Sequence, residues 1–375
     1  SRSDNKILLV KLGPLFTVIP YPVLTVPLST LFSGVVQISR MMRSIALCLA
    51  VTTHIFNIPL ASAFTLITFD VDGTLVKGGG KMGASADTSA HARAFSIACG
   101  SILGTPTNPP VVVPPVAQVL ESREFHGSTD GLILLRLARK SLGVEPGSVP
   151  TERLERMMEV MYGYISGLSD EEVAEGMDVL PGVLENLTTL AKMKDRVACG
   201  LVTGNVEGIA RRKMRAVGIL ATDALAPPSA EQQKRTWLGS DDIGFLGGFG
   251  SDFCSGNIDD EARNHLDRSE QIAIAARRCR DSLPALLPEG DVRGLQRVVH
   301  VGDAPADVLA AKAYSISSDA EKHGLCVGMV AVATGSYGAE QLRELAGDPI
   351  PGRWEPVVLE DGMADPDFIE ACGIL

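Results

Sequence analysis

Thr65-Leu66-Ile67-Thr68-Phe69-Asp70-Val71-Asp72-Gly73-Thr74 joins a strand signal to a pair of acids. Thr65 to Phe69 is a short apolar, β-rich run of the kind that forms a buried strand, and Gly73 directly after the acids supplies a chain reversal. Two carboxylates at i and i+2, where a strand gives way to a loop, both face one crevice if the strand twist persists. One can then attack while the other handles the proton. A carboxylate nucleophile displaces the leaving oxygen of a phosphate ester to give an aspartyl-phosphate, and the second acid protonates that oxygen and later activates water. A solvated turn or a calcium loop is the alternative. Calcium loops of the EF-hand kind need more oxygen ligands at alternate positions and a late Glu between flanking helices; here a strand leads in and the acids stop at Asp72.

Two later segments repeat the pattern. Val197 to Val202 is a second apolar run, and Thr203-Gly204-Asn205 leads from it into a helix expected over 206–216 that carries several basic residues. A hydroxyl beside exposed backbone N–H groups at a helix start is a ready anion site; it also describes an ordinary N-cap. The third segment follows Arg297-Val298-Val299-His300-Val301 and reads Gly302-Asp303-Ala304-Pro305-Ala306-Asp307. Asp303 stands where a hard cation could be held. Asp307 lies one turn along a helix expected over 306–313, where the helix dipole also favours an acid. Mg²⁺ takes oxygen ligands and shares them with substrate phosphate, so Asp70 and Asp303 at adjacent strand ends would form a suitable pocket. His300, in an apolar strand, reads as a packed core residue rather than a ligand. In a parallel α/β sheet the loops after the strands gather at one edge, which brings these three distant segments into one crevice.

The order Asp-Val-Asp-Gly-Thr, Thr-Gly-Asn, Gly-Asp-Ala-Pro-Ala-Asp resembles that of the haloacid dehalogenase-like hydrolases, and the chain looks like the phosphoglycolate phosphatase-like members with a helical cap. The resemblance runs from Phe64 to the C-terminus. It implies an α/β fold: a Rossmann-like, doubly wound parallel sheet with an inserted helical cap domain. It further implies Asp70 as nucleophile, Asp72 as acid/base and Thr203 with Gly204 and Asn205 on the phosphoryl group. Mg²⁺ would be held by Asp70, the backbone carbonyl of Asp72 and Asp303, with Asp307 supporting that metal site. Many relatives place a Lys, often before Pro, ahead of the last metal-binding strand; no Lys-x-Pro occurs here. Instead Gly247-Gly248-Phe249-Gly250-Ser251-Asp252, an insertion-like polar stretch, is followed by Asp267-Arg268-Ser269-Glu270 opening a helix through Arg280. This is similar to a subgroup in which Arg replaces that Lys. Arg268 is the choice for the cationic clamp, with Arg263 its rival because 253–266 blurs the register.

Helical runs at Ala90 to Leu103, Gly131 to Leu142 and Thr151 to Leu168, with a Pro-rich loop from Gly104 to Pro115, occupy the space between the first two motifs. An insert of about ninety residues is large enough for a small core of its own. The expected organisation is an N-terminal extension over 1–63, an α/β core over 64–86 and 177–375, and a helical cap over 87–176. Gly78-Gly79-Gly80 would be a hinge and Leu180-Pro181-Gly182 the return. His126-Gly127-Ser128-Thr129-Asp130 resembles the cap segment that faces substrate, with Thr129 and Asp130 as candidates; Ser128 or Asp130 as a helix cap is the other reading.

With 375 residues, 45% hydrophobic, the chain can bury a sizeable core and a second small domain. A formal net charge of -11 argues against nucleic acid or an anionic membrane as main partner; the resemblance implies a small phosphorylated metabolite. The seven cysteines are scattered, without a Cys-x-x-Cys pair, and read as reduced, packed residues rather than a disulfide framework or zinc site. Prolines 14, 20, 22 and 27 break the apolar N-terminal stretch and argue against a stable membrane span. From Met42, Arg43, the apolar run to Leu60 and Ala61-Ser62-Ala63 resemble a secretory signal peptide, and the Phe64 junction resembles one used in plastid import. A translated upstream region explains residues 1–40 equally, so cytoplasm and organelle, plastid included, both stay open. The expected function is Mg²⁺-dependent hydrolysis of a small phosphate monoester, phosphoglycolate-like or a sugar phosphate. A phosphomutase of the β-phosphoglucomutase type and a catalytically inactive binding protein are the alternatives.

Overall fold

A computed structural model describes residues 11–12, 15–16, 64–78, 89–103, 128–142, 151–220, 246–252, 263–287, 291 and 293–374. The signal-like segment 42–63, the rest of the Gly78-Gly79-Gly80 hinge, the Pro-rich loop and His126-Gly127 lie outside the described residues, as do 253–262. Two compact units divide the chain at Leu60/Ala61. In the first, Lys11–Leu12 pairs antiparallel with Leu15–Phe16.

The second unit is built on a six-stranded, wholly parallel sheet. Its centre is β1 (Phe64–Phe69), buried at every position, as an apolar run flanked on both faces requires. β4 (Val197–Thr203) and then β5 (Gly247–Phe249) lie on one side of β1; β6 (Leu295–Gly302), β7 (Cys326–Val332) and β8 (Trp354–Leu359) lie on the other. The chain builds outward from β1 through β4 to β5, then crosses back to β6. Strand order therefore reverses beside β1, the position where doubly wound sheets hold ligands. Alternation in β1 splits the core. Ile67 and Phe69 join Cys199, Leu201, Val299 and Val301 beneath α5 (Val183–Ala191) and α6 (Glu207–Ala216). Phe64 and Leu66 join Ala198, Val202 and Val298 beneath α7 (Asn264–Leu286) and α8 (Pro305–Ser315).

Gly247-Gly248-Phe249, read from sequence as part of a polar insertion, is the edge strand β5, in register with Leu201 to Thr203 of β4. The glycines mislead because they lack β propensity. A Cβ at Gly248 would collide with the Gln271 backbone of α7, so the missing side chain is what lets helix and strand meet. Helix α7 also opens a turn before the expected Asp267, at Asn264.

Helices α1 (Ala90–Leu103), α2 (Asp130–Leu142), α3 (Thr151–Ser166) and α4 (Asp170–Ala174) share a separate apolar cluster. Phe95, Leu134, Leu137, Met157 and Met161 fill it, and Val206 and Ile209 at the start of α6 complete it. Short strands β2 (Val76–Gly78) and β3 (Met177–Val179) pair antiparallel, so the chain leaves for these helices and returns from them through one two-stranded ribbon. Among the described residues no helix is long and apolar enough to cross a membrane. Cys99, Cys199, Cys279 and Cys372 are buried free thiols, and Cys326 is partly buried.

Candidate active site

The C-terminal ends of β1, β4 and β6 place Asp70, Thr203 and Asp303 around one crevice of about 440 Å³, which Asp72, Gly204, Asn205 and Arg268 also line. Asp70 begins where β1 ends, its N–H still bonded to Val301 O of β6 at 2.9 Å. Its side chain lies 3.0 Å from Arg268 Nη1, and the same nitrogen lies 2.9 Å from Asp307 Oδ1. Arg268 is 1% exposed, so α7 delivers a guanidinium into the crevice floor between two buried carboxylates. Burial works against its charge; Asp307 and Asp70 outweigh that and raise its pKa above the usual value. Arg263, the rival clamp, sits exposed at the N-cap of α7.

Asp307 is fully buried at the first turn of α8, the position that the helix dipole favours. Its oxygens accept from Arg268, from Ala304 N at 3.1 Å and from His300 Nε2 at 3.3 Å. His300 is a core residue, as its strand context implied, but not an inert one: Nδ1 meets Thr68 Oγ1 at 3.0 Å. Burial pushes the Asp307 carboxyl up; Arg268 and His300 outweigh it and hold the group below the ordinary carboxylate range.

Asp303 has a different environment. Thr74 Oγ1 donates to its Oδ1 at 3.1 Å. Gly73, at φ 94°, turns the chain so tightly against this carboxylate that any side chain there would collide with it. Burial, then repulsion from Asp70 and Asp307, pushes Asp303 well above the usual range. Burial likewise raises Asp70 to about 6, helped by Asp307 and Asp72 and opposed by Arg268. Asp70, Asp303 and Asp307 each bring an oxygen within 4.8 Å of the others. An all-oxygen set with more negative charge than Arg268 compensates fits a hard divalent cation such as Mg²⁺. Because the Asp307 oxygens are taken by protein donors, Asp70 and Asp303 are the better placed pair.

Asp72 is held from the side. Asn205 Nδ2 donates to Oδ2 at 3.0 Å, and Lys213 Nζ of α6 lies 2.8 Å from both carboxylate oxygens. Desolvation by the surrounding crevice opposes its ionisation although the side chain is 44% exposed, and Lys213, His91 and Asn205 together lower its pKa. Thr203, 1% exposed, accepts from Asn205 N at 3.3 Å through Oγ1.

Residues Ser128 to Asp130 dock against this loop. Asp130 N donates to Gly204 O at 2.8 Å, and Asp130 Oδ2 accepts from Val206 N at 2.8 Å. Asp130 Oδ1 lies 3.2 Å from His91 Nε2. Asp130 therefore lines the crevice while tying the helical insert to the Thr203 loop. Thr129 is buried, and its Oγ1 accepts from Leu132 N at 3.3 Å, the N-terminal capping bond of α2.

Lys213 and His91 escaped the sequence reading. Lys213 left a usable signal: it stands four residues after Ile209, on the buried stripe of α6, and a charge on such a stripe requires a partner. His91 left none, because its neighbours in the crevice come from distant segments.

No protein-family profile and no curated protein sequence matches this chain. Among solved structures it is similar to CbbY from Rhodobacter sphaeroides in complex with phosphate: 16% identity, TM-score 0.41, covering 82% of this chain and 98% of that one. It is also similar to a predicted phosphoglycolate phosphatase from Haemophilus somnus 129pt, at 15% identity and TM-score 0.40, covering 82% and 97%. A β-phosphoglucomutase from Clostridium difficile gives 13% identity and TM-score 0.38, covering 83% and 97%.

Proposed function

We propose that this protein is a haloacid dehalogenase-like phosphatase that hydrolyses a small phosphate monoester through an aspartyl-phosphate on Asp70. The observation that supports it most is the pairing of a buried strand-end carboxylate with a buried guanidinium, Asp70 with Arg268 at 3.0 Å, in a crevice that also holds Asp72, Thr203 and Asp303. An Asp70 oxygen attacks phosphorus as the bond to the leaving oxygen breaks, and Asp72, which takes up a proton before this step, gives it to that oxygen. Water then attacks the acyl-phosphate, Asp72 takes the proton, and the Asp70 oxygen is released. The Thr203 hydroxyl and the Gly204–Asn205 backbone hold the phosphoryl oxygens, whose developing charge Arg268 offsets. Asp70, Asp303 and the Asp72 carbonyl would hold Mg²⁺, with Asp307 fixing Arg268 beside them. The ion supplies further charge neutralisation on the phosphoryl group.

The helices within 87–176 serve as the cap in this reading, moving on the β2–β3 ribbon and excluding water when closed. A crevice of about 440 Å³ with Phe95 and Ile133 on its cap side suits a metabolite-sized ester rather than a polymer. The test is release of inorganic phosphate from a panel of phosphorylated carboxylic acids and sugar phosphates with Mg²⁺. Wild type should turn over at least one, and Asp70→Asn, nearly isosteric but unable to form the acyl-phosphate, should turn over none. Mg²⁺-dependent turnover by Asp70→Asn would overturn the assignment. Recovery of an isomerised sugar phosphate in place of free phosphate would make the enzyme a phosphomutase.

A further inference from the structure

We infer that Lys213 is the positioning residue for Asp72, an inference that rests on the phosphatase reading above. Asp72 lies in the loop beyond β1 with its side chain 44% exposed, so its carboxylate must be oriented by partners. Two arrive from the chain after β4. Lys213 Nζ lies 2.8 Å from Oδ1 and 2.8 Å from Oδ2, and its third acceptor, also at 2.8 Å, is Asn205 Oδ1. The Asn205 amide closes the ring through Nδ2 to Asp72 Oδ2 at 3.0 Å. An ammonium has three donors, and here three acceptors meet them.

Stability alone does not account for this choice. Lys213 is 3% exposed on a helix stripe with Ile209, Ala210 and Met214. An ion pair with one partner half-exposed to water adds at most about 1 kcal/mol of stability. What the ammonium supplies is direction. With both oxygens gripped, the plane of the carboxylate is set, and Asn205 links it to the loop that carries Thr203. The proton-transferring group and the phosphoryl-binding hydroxyl therefore move as one unit. Lys213 gives up no proton in either half-reaction. The leaving oxygen is protonated from Asp72 as its bond to phosphorus breaks, and the proton lost by water returns to Asp72 as the new P–O bond forms.

Positioning predicts a signature that simple loss of structure lacks. Lys213→Met should lower kcat on an alkyl phosphate by about 10- to 100-fold, part of the usual worth of a placed acid. The loss should shrink to a few-fold on 4-nitrophenyl phosphate, whose leaving group needs little protonation, with KM nearly unchanged on both. In an Asp72→Asn background the same substitution should cost nothing further. Lys213→Gln, one atom shorter but still a donor, should recover part of the loss and provides the measurement should the methionine variant not fold. Equal losses on alkyl and aryl esters, or an added loss in the Asp72→Asn background, would overturn the inference. So would a rise in KM confined to substrates with a second anionic group, which would make Lys213 a substrate-binding cation. Wild type inactive on every ester would remove the phosphatase reading and this inference with it, an outcome visible before any Lys213 variant is assayed.

Discussion

Removal of Arg268 would leave Asp70 and Asp307 facing each other without the guanidinium that each touches within 3.0 Å. Breaking a buried pair in this way costs about 3–5 kcal/mol, because the remaining charge stays buried. Arg268→Ala should therefore lower both the melting temperature and kcat/KM, the latter by about 10²- to 10³-fold for loss of a donor aimed at developing charge. Arg268→Lys should recover part of each. Arg263→Ala, at an exposed N-cap, should change either only slightly; steady-state kinetics and thermal melts on the three variants check this. At Asp72 the expected cost of Asp72→Ala is about 10² to 10⁴ in rate, smaller for esters with good leaving groups. Equal losses for aryl and alkyl phosphates would remove Asp72 as leaving-group acid. At this scale Asp70, Asp72 and Asp303 were legible in the sequence because each stands just beyond an apolar run and close to a turn glycine. Arg268 was legible only through a family likeness, since nothing in Asp267-Arg268-Ser269-Glu270 says which side of α7 turns inward.

Contact between β5 and α7 decides where Arg268 sits. Gly248 allows the strand to lie against the Gln271 backbone, and Gln271 Nε2 in turn donates to Phe249 O at 3.0 Å. Gly248→Ala forces that contact apart and should destabilise the fold by about 1–3 kcal/mol, the usual range for overpacking. Because Arg268 is carried on the same helix, kcat/KM should fall too, although residue 248 faces no substrate. A melt unchanged from wild type would show that the edge strand yields without displacing α7. The helices α1, α2 and α3 follow their hydrophobic periodicity closely, and the observed spans Ala90–Leu103, Asp130–Leu142 and Thr151–Ser166 differ little from the expected ones. Strand β5 does not, for its glycines carry no β signal and its pairing with β4 is a long-range event.

Across the molecule, the carboxylate cluster links stability to pH. Asp70 rises to about 6 and Asp303 well above its usual value, so the folded state holds protons that the unfolded chain has released. Stability then falls as pH rises from about 4 through 6. Asp72, Asp307 and Glu355 are shifted the other way and lose their stabilising contribution only as pH falls below about 4. A divalent cation at Asp70 and Asp303 would compete with those protons. Added Mg²⁺ should therefore raise the melting temperature more at pH 7.5 than at pH 5, and this difference should vanish in Asp303→Asn. Equal shifts at both pH values would place the ion elsewhere.

The sequence by itself determined the parallel α/β core, the three loops that meet at its edge and the acids they carry, because these depend on local patterns: apolar strands, turn glycines and acids at fixed offsets. Only the tertiary structure brought to those acids their cations, Arg268, which the family likeness had singled out, and Lys213, which nothing had. Arg268 reaches Asp70 across 198 positions and Lys213 reaches Asp72 across 141. No spacing rule spans such distances, since the partners are joined by the packing of α6 and α7 on the sheet. The cap of α2 shows the same limit at short range: Ser128 or Asp130 was the expected capping residue, and it is the Thr129 hydroxyl that accepts the Leu132 N–H.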